Sequence, residues 1–231
     1  MALKQHIPNA ITSCNLLSGV VGLYFAFQSS FEVAMICMLA AGLFDFLDGF
    51  AARLLHASSP IGAQLDSLSD VVSFGVLPTV MLCSFSHTPY PLILAVFSAV
   101  RLAKFNVDDR QHSSFIGLPT TAAALLCAGL VTYCSARPES VIAAVFAPWW
   151  VVLILAAVLS FLLVCEIPFF SFKGLGKKAE FPENIKPICL ICLCVVAIVL
   201  TLVLGWHWSA LLVGFTLAYI LENLILAAFK I

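Results

Sequence analysis

Charge is the property that this sequence of 231 residues has least of: only 10% of its residues are charged, whereas 62% are hydrophobic. Average soluble domains carry about 25% charged residues, so the composition excludes an ordinary soluble domain. The sequence also has no basic stripe, and we therefore expect no nucleic-acid partner. With a mean hydropathy of +1.10, the chain is expected to be a polytopic membrane protein.

The sequence also lacks cysteines grouped in the way that a metal site or a disulfide framework requires. The nine cysteines are scattered, and the densest group, Cys189, Cys192 and Cys194, has no histidine or second pair beside it. Metal-binding cysteines come in better-organised sets, so we interpret these thiols as small hydrophobic side chains and expect no disulfide framework. Residues 1–11 lack the layout of a cleaved signal and predict a short N-terminal interfacial helix instead.

Long apolar segments, by contrast, fill most of the chain. A helix needs about 20 apolar residues to cross the hydrocarbon core of a membrane. The fold class predicted is therefore an all-α integral membrane protein with about eight transmembrane helices. Their ranges are 11–29, 32–55, 61–85, 90–107, 117–135, 140–165, 187–205 and 208–228. We interpret 1–231 as a single membrane-embedded domain, with a core at about 8–165 and a C-terminal helix pair at about 187–228.

Basic residues are distributed asymmetrically between the ends of these spans. If the N-terminus is cytoplasmic and the spans alternate, only Arg137 falls outside. The basic residues at the inner ends are Lys4, Arg53, Arg101, Lys104, Arg110, Lys173, Lys177, Lys178, Lys186 and Lys230. The positive-inside rule then predicts cytoplasmic N- and C-termini. We expect the membrane to be a bacterial or archaeal cytoplasmic membrane.

Four carboxylates interrupt the apolar pattern between the second and third spans. Asp45 and Asp48 are three residues apart and Asp66 and Asp70 are four apart, so each pair shares one face of a helix. A carboxylate inside a membrane costs about 2.5–3.5 kcal/mol on insertion scales unless it faces water or a partner. Oxygen ligands without histidine or cysteine favour hard cations. The pattern therefore predicts one or two Mg²⁺ or Mn²⁺ ions.

The connection between the two carboxylate pairs predicts a helix break. Ser59 suits an N-cap, and Pro60 suits the first helical position. We therefore expect two antiparallel neighbouring helices whose carboxylates face one cavity, at the cytoplasmic end of the spans.

Small residues and one arginine accompany the carboxylates. Gly49, Ala52 and Gly62 leave room for a substrate to lie against the backbone. Arg53 supplies a fixed positive fork that suits phosphate. Together with divalent metals and a spare carboxylate as base, these residues predict diphosphate chemistry.

The stretch from Asp45 to Asp70 resembles the signature of the CDP-alcohol phosphatidyltransferases. That signature is Asp, two residues, Asp-Gly, two residues, Ala-Arg, eight residues, Gly, three residues, Asp, three residues, Asp. All eight fixed positions over these 26 residues match, at Asp45, Asp48, Gly49, Ala52, Arg53, Gly62, Asp66 and Asp70. The resemblance implies a six-helix core. It also implies that the CDP moiety is bound by Gly49, Ala52, Arg53, Gly62, Asn9 and Thr12. For Asn9 and Thr12, capping of the first helix is an alternative role.

Three later segments are similar to the branch of this family whose acceptor alcohol is L-serine. They are D-S-L-S-D-V-V-S-F-G-V-L-P at 66–78, R-L-A-K-F-N-V at 101–107 and F-I-G-L-P-T-T-A-A-A at 115–124. Arg101 could receive a carboxylate, and Asn106 an ammonium or hydroxyl group. Lys104, where relatives often carry arginine, and Thr120 complete the candidate serine contacts. The alternatives are snorkelling for Arg101 and Lys104 and back-bonding within a helix for Thr120.

The resemblance also implies a reaction. A phosphatidyl group would pass from CDP-diacylglycerol to the hydroxyl of L-serine, giving phosphatidylserine and CMP. Asp45, Asp48, Asp66 and Asp70 would hold the metal, and Asp66 and Asp70 would be catalytic, with Asp70 as general base. The same chemistry on glycerol 3-phosphate, inositol or inositol phosphate is the alternative. An ion-coupled transporter is less expected because the sequence shows no internal repeat. Membrane lipids are further expected partners, and we expect the protein to form a homodimer.

Overall fold

The computed structural model describes residues 3–57, 59–108, 115–169, 198, 201 and 205–229. Within these ranges the chain is almost entirely helical, as the predicted fold class requires. The α-helices are α1 (Leu3–Phe27), α2 (Phe31–Leu54), α3 (Pro60–Asp70), α4 (Leu77–Ser86), α5 (Ile93–Val107), α6 (Thr120–Ala136), α7 (Val141–Phe146), α8 (Trp149–Val164) and α9 (Ser209–Phe229). A π-helical segment, Val71–Val76, joins α3 to α4, and a short 3-10 turn, Tyr90–Leu92, precedes α5.

Five helical segments in the described part of the chain are long and apolar enough to cross a membrane. They are His6–Phe27, Phe31–Leu54, Pro60–Ser86, Tyr90–Val107 and Ser209–Ala227. Two shorter apolar helices, α6 and α8, correspond to the predicted fifth and sixth spans. The predicted span at 187–205 and most of the polar stretch at 166–187 lie outside the described residues. The chain is thus an all-α membrane protein, with the predicted order of spans wherever it is described.

Two predicted boundaries differ from the structure. The expected separate interfacial helix at residues 1–11 is the first part of α1, which runs unbroken from Leu3 through Pro8. A proline this close to a helix start removes only one backbone hydrogen bond, so the helix continues. The expected span at 140–165 is divided, because Pro148 adopts an extended conformation (ψ 129°) that ends the first helix and caps the second. Only α8 is then left of the predicted sixth span, and it is shorter than the five segments named above.

The third span has the irregularity that Gly75 and Pro78 predict. Its backbone widens into the π-helical segment and returns to an α-helix at Leu77, one residue before Pro78. The hydroxyl of Thr79 donates to the Gly75 carbonyl at 2.8 Å. A Cβ on Gly75 would lie 3.1 Å from the Cβ of Ser98, so glycine also allows α5 to approach closely here. The irregular segment begins directly after Asp70.

The N-terminal end of α6 and the C-terminal end of α8 are joined through a two-stranded ladder. Strand β1 (Phe115–Ile116) pairs antiparallel with β2 (Pro168–Phe169), with Phe115 opposite Phe169. The Phe169 ring is fully buried and lies 6.0 Å from the ring of Tyr219 in α9. The ladder therefore fixes two loops and the last helix against each other on the same side as the predicted carboxylate site.

Candidate active site

The carboxylates lie where the C-terminal half of α2 and the helix α3 come together. Ser59 caps α3, because its hydroxyl accepts a hydrogen bond from the Gly62 N–H at 3.0 Å and Pro60 follows as the first helical residue. This confirms the predicted helix start. Both helices pack mainly on α1, and this packing brings the carboxylates of α2 and α3 together. The space that this leaves between them becomes a cavity.

Three of the four carboxylates form one tight group. Asp45, Asp48 and Asp66 each offer an oxygen, and these oxygens lie within 4.8 Å of one another. Asp48 is only 6% exposed. Buried oxygens of Asp48 (Oδ2) and Asp66 (Oδ1) have no hydrogen-bond partner among the described residues. Like charges at this distance repel, and a buried carboxylate oxygen needs a donor or a cation. An all-oxygen donor set of this kind fits a hard divalent cation.

A cavity of about 170 Å³ opens beside this group. Three helices contribute to its wall, and each supplies residues that the sequence predicted for nucleotide binding. The lining residues include Asn9 and Thr12 from α1, Asp48, Gly49 and Ala52 from α2, and Gly62 and Asp66 from α3. Two of the predicted metal ligands, Asp48 and Asp66, thus share one space with all of the predicted nucleotide contacts except Arg53.

Gly62 lies at a point of the cavity wall that leaves no room for a larger side chain. A Cβ on Gly62 would lie 2.8 Å from the Oδ1 atom of Asn9 and 3.1 Å from the Ser59 hydroxyl. The guanidinium of Arg53 extends over Gly49, with Nη1 3.5 Å from the position that a Cβ would take there. Arg53 is solvent-exposed, which leaves its donors available to an anion entering beside the carboxylates.

Asp70 is not one of the three clustered carboxylates, although it follows Asp66 by one helical turn. One of its oxygens accepts a hydrogen bond from the side-chain amide of Asn15 at 3.2 Å. The side-chain oxygen of Asn15, Oδ1, in turn accepts a hydrogen bond from the Ser73 hydroxyl at 2.8 Å. In the sequence, Asn15 follows Asn9 and Thr12 at spacings of three residues, but neither Asn15 nor Ser73 was among the candidate site residues. Their (i, i+3) spacing from Thr12 and Asp70 was the available signal.

The four candidate serine contacts are distributed over neighbouring positions. Arg101 and Lys104 line a small pocket that Ile116 and the C-terminal end of α8 close. Buried Arg101 lies within electrostatic reach of Asp70. The amide of Asn106 donates to the Ser67 hydroxyl at 2.7 Å, one residue from Asp66. Thr120 is buried at the start of α6, and its hydroxyl has no partner in the described residues, so the alternative of back-bonding is not what the structure shows.

The last helix approaches this second pocket, which the sequence did not indicate. Tyr219 in α9 lies within electrostatic reach of Arg101, and its ring packs on Phe169. The sequence of α9 indicates only an apolar membrane span. Periodicity within α9 cannot show which distant helix its one tyrosine meets.

Comparison with known proteins agrees with the geometry of the carboxylate group. The family model described as CDP-alcohol phosphatidyltransferase matches residues 5–162. CDP-diacylglycerol–serine O-phosphatidyltransferase of Mycobacterium bovis is 31% identical over 202 residues, which cover 81% of this chain and 69% of that protein. Proteins of the same name are 36% identical in Helicobacter pylori, over 52% of this chain and 54% of that protein, and 37% identical in Methanocaldococcus jannaschii, over 53% and 59%. The chain therefore belongs to the CDP-alcohol phosphatidyltransferase family.

Proposed function

We propose that this enzyme transfers a phosphatidyl group from CDP-diacylglycerol to the hydroxyl of L-serine. The observation that carries the proposal is the Asp45, Asp48 and Asp66 group, which opens onto a cavity lined by the residues of the family signature. Relatives that are named for transfer to serine support the choice of acceptor.

The cavity suits the CDP part of the donor. We assign the nucleotide contacts to Asn9 and Thr12 of α1 and to the small residues Gly49, Ala52 and Gly62, where backbone can meet the ligand closely. The forked guanidinium of Arg53 is placed to bind the diphosphate in bidentate fashion. A divalent cation, Mg²⁺ or Mn²⁺, held by Asp45, Asp48, Asp66 and also Asp70 would neutralise the negative charge of the diphosphate.

Narrowing this cavity should weaken donor binding more than turnover. In Gly62→Ala, the new methyl group must displace the Asn9 side chain, so one polar contact to the nucleotide is lost. We expect KM for CDP-diacylglycerol to rise about tenfold, the equivalent of about 1.4 kcal/mol, with kcat less affected. Steady-state kinetics in detergent will measure both constants.

Gly42→Ala is the matched control for this change. Gly42 also lies in a helix, but its Cβ would meet only Phe74, at an ordinary contact distance of 3.6 Å. Its KM should equal that of the wild type. An unchanged KM in Gly62→Ala would remove the nucleotide from this part of the cavity.

The transfer step needs a base for the acceptor. We assign this role to Asp70, which lies outside the three-carboxylate group and is held on one oxygen by Asn15. Asp70 accepts the proton of the serine hydroxyl as the serine oxygen attacks the phosphorus that carries diacylglycerol. The bond from that phosphorus to the oxygen of the departing CMP breaks, so that phosphatidylserine and CMP are formed.

The acceptor side is assigned to the pocket of Arg101 and Lys104. Arg101 is buried close to Asp70 and can pair with the serine carboxylate, and we assign further serine contacts to Asn106 and Thr120. An acceptor with its own phosphate, such as glycerol 3-phosphate, would call for additional cations, and an inositol acceptor for more hydroxyl partners. These acceptors serve as comparisons in the test.

The decisive experiment measures CMP release from CDP-diacylglycerol by the purified protein, with and without L-serine and with Mg²⁺, Mn²⁺ or EDTA. We expect release that requires both serine and metal. Asp70→Asn should lower it by about 10²–10⁴-fold, the usual contribution of a general base. Glycerol 3-phosphate and inositol are added in parallel.

Each outcome of this experiment has a defined meaning. Release stimulated by glycerol 3-phosphate or inositol instead of serine would keep the site but assign another acceptor. Full activity in Asp70→Asn would take the role of base away from Asp70. Absence of metal-dependent release with every acceptor would contradict transferase activity and favour the alternative of ion-coupled transport.

The orientation and assembly that we propose follow from the sequence. Basic residues at the inner ends of the spans support a cytoplasmic location for both termini and for the active site. The donor would then enter laterally from the membrane, and serine from the cytoplasm. We treat 1–231 as one domain, with the last helices attached to the family core, and expect a homodimer as the family resemblance implies.

A further inference from the structure

Asn15 is a polar side chain in the middle of α1, fully buried at 0% exposure. It bridges two residues of the third span: its Nδ2 atom donates to Asp70 at 3.2 Å, and its Oδ1 atom lies 2.8 Å from the Ser73 hydroxyl. The Ser73 hydroxyl is also 3.2 Å from the backbone carbonyl of Asn15. Burying a primary amide in a membrane helix costs free energy unless all its groups are bonded, so these contacts need an explanation.

The donors and acceptors in the hydrogen bonds from Ser73 to Asn15 and from Asn15 to Asp70 follow from the chemistry of the three side chains. An ionised Asp70 can only accept, so the atom of Asn15 that faces it must be the amide nitrogen. The amide oxygen then faces Ser73, whose hydroxyl donates to it. Ser73 thereby fixes the orientation of the amide, and the amide fixes one oxygen of Asp70. The second carboxylate oxygen is left for the reaction.

The backbone around these residues is built for close contact. A Cβ on Gly19, one turn after Asn15, would overlap the side chain of Ser73. Ser73 itself belongs to the π-helical segment that starts after Asp70. Such segments occur frequently at functional sites in helical proteins. The glycine and the widened helix together bring α1 near enough for a short side chain to reach Asp70.

A second hydrogen bond between the same two helices allows structural and functional roles to be separated. The Ser69 hydroxyl lies 3.4 Å from the backbone carbonyl of Thr12 and also donates within its own helix, to Leu65 at 2.8 Å. Ser69 is as deeply buried as Asn15, but it makes no side-chain contact with a carboxylate in the described structure. It therefore connects α1 to α3 without acting on the base.

We propose that Asn15, oriented by Ser73, is a positioning residue that holds the carboxylate of Asp70 in the rotamer required to accept the proton of the acceptor hydroxyl. This inference depends on the proposed function, because it takes the role of Asp70 from there. In the described structure Asn15 touches none of the three clustered carboxylates and does not line the nucleotide cavity, and its one contact with the proposed metal ligands is the hydrogen bond to Asp70. Its loss should therefore affect turnover rather than donor binding.

The test compares Asn15→Ala, Ser73→Ala and Ser69→Ala with the wild type in detergent. We expect kcat for serine-dependent CMP release to fall about 10–100-fold in Asn15→Ala, as is typical for partners that orient a reacting group. Ser73→Ala should show a smaller fall, and Ser69→Ala should keep the wild-type kcat. KM for CDP-diacylglycerol should be unchanged in all three.

Calorimetric titration with CMP and Mn²⁺ counts the folded sites in each preparation. A positioning role predicts a full number of CMP sites in Asn15→Ala despite its low kcat. A loss of sites in proportion to kcat would mean that Asn15 only supports the fold, and the inference would be overturned. The same follows if Asn15→Ala and Ser69→Ala have equal kcat while Asp70→Asn is inactive.

Failure of the underlying proposal has a different signature. If the wild-type protein neither binds CMP nor releases it, the proposed function is wrong and no variant of Asn15 is needed to show it. If Asp70→Asn retains the wild-type kcat, Asp70 is not the base, and the inference falls together with that assignment.

Discussion

Asp48→Asn should lower metal-dependent CMP release about 10³-fold, the equivalent of several kcal/mol of lost charge stabilisation. Asparagine keeps the size and one oxygen of Asp48 but removes the negative charge. Asp48 is the most buried of the clustered carboxylates, at 6% exposure, and has an oxygen without a hydrogen-bond partner in the described structure. Water cannot readily replace it as a ligand, so the loss should be large.

The same variant should be at least as stable as the wild type when EDTA is present. Three carboxylates whose oxygens lie within 4.8 Å repel one another, and the amide group introduced by the substitution would relieve that repulsion by donating to Asp45 or Asp66. Any ligand that binds only the folded state raises the thermal midpoint. Mn²⁺ should therefore raise the midpoint of the wild-type protein but not that of Asp48→Asn.

Glu32→Gln provides the control for Asp48→Asn on the same helix. Glu32 lies at the opposite end of α2, where its exposed carboxylate accepts a hydrogen bond from the Trp208 indole at 3.0 Å. A glutamine oxygen can accept the same bond, so activity and the Mn²⁺-dependent stabilisation should both persist. A wild-type response to Mn²⁺ in Asp48→Asn would show that this carboxylate is not a ligand.

The arrangement of the carboxylates could be predicted from the sequence because it is encoded locally. Spacings of three and four residues put each pair of carboxylates on one helix face, and the Ser59 and Pro60 pair sets where α3 begins. Both signals act within a single helix or turn. The group of Asp45, Asp48 and Asp66 then follows once the two helix ends meet.

Features that depend on a third element could not be predicted in the same way. The α2 and α3 helices were expected to be neighbours, but the sequence did not show that α1 provides their common surface. Asn15 acquires its role only because that packing places it against Asp70, which is 55 residues away in the sequence. The approach of Tyr219 to Arg101 has the same origin. Periodicity specifies which face is polar, whereas packing decides what the face meets.

Gly117 is another residue whose importance comes from distant contacts. Its backbone has a positive φ of +80°, and its N–H donates to the carbonyl of Ile167 at 2.9 Å. A Cβ at this position would lie 2.5 Å from the backbone oxygen of Leu163 and 3.0 Å from that of Cys165. The sequence F-I-G-L-P indicates a turn, but it cannot show that the end of α8 fills the space beside the glycine.

Gly117→Ala should therefore be strongly destabilising. Placing an L-residue in the left-handed region costs about 1–2 kcal/mol, and forcing a methyl group against fixed backbone adds about 1–3 kcal/mol. The carbonyl oxygens cannot move aside as a flexible side chain could, because they belong to the end of α8 and to the connection into β2. We expect a lower thermal midpoint in detergent, measured by intrinsic fluorescence, and a lower yield of folded protein.

Gly205→Ala separates the two parts of this cost. Gly205 also has a positive φ, of +60°, but a Cβ there would meet none of the described residues within 4 Å. Only the conformational cost of about 1–2 kcal/mol should then apply, and the midpoint should fall less than in Gly117→Ala. Equal midpoints in the two variants would mean that the loop can move away from α8. The turn at Gly117 would then be a loose connection, and the pocket wall formed by Ile116 and the end of α8 could not be rigid enough to hold an acceptor beside Arg101.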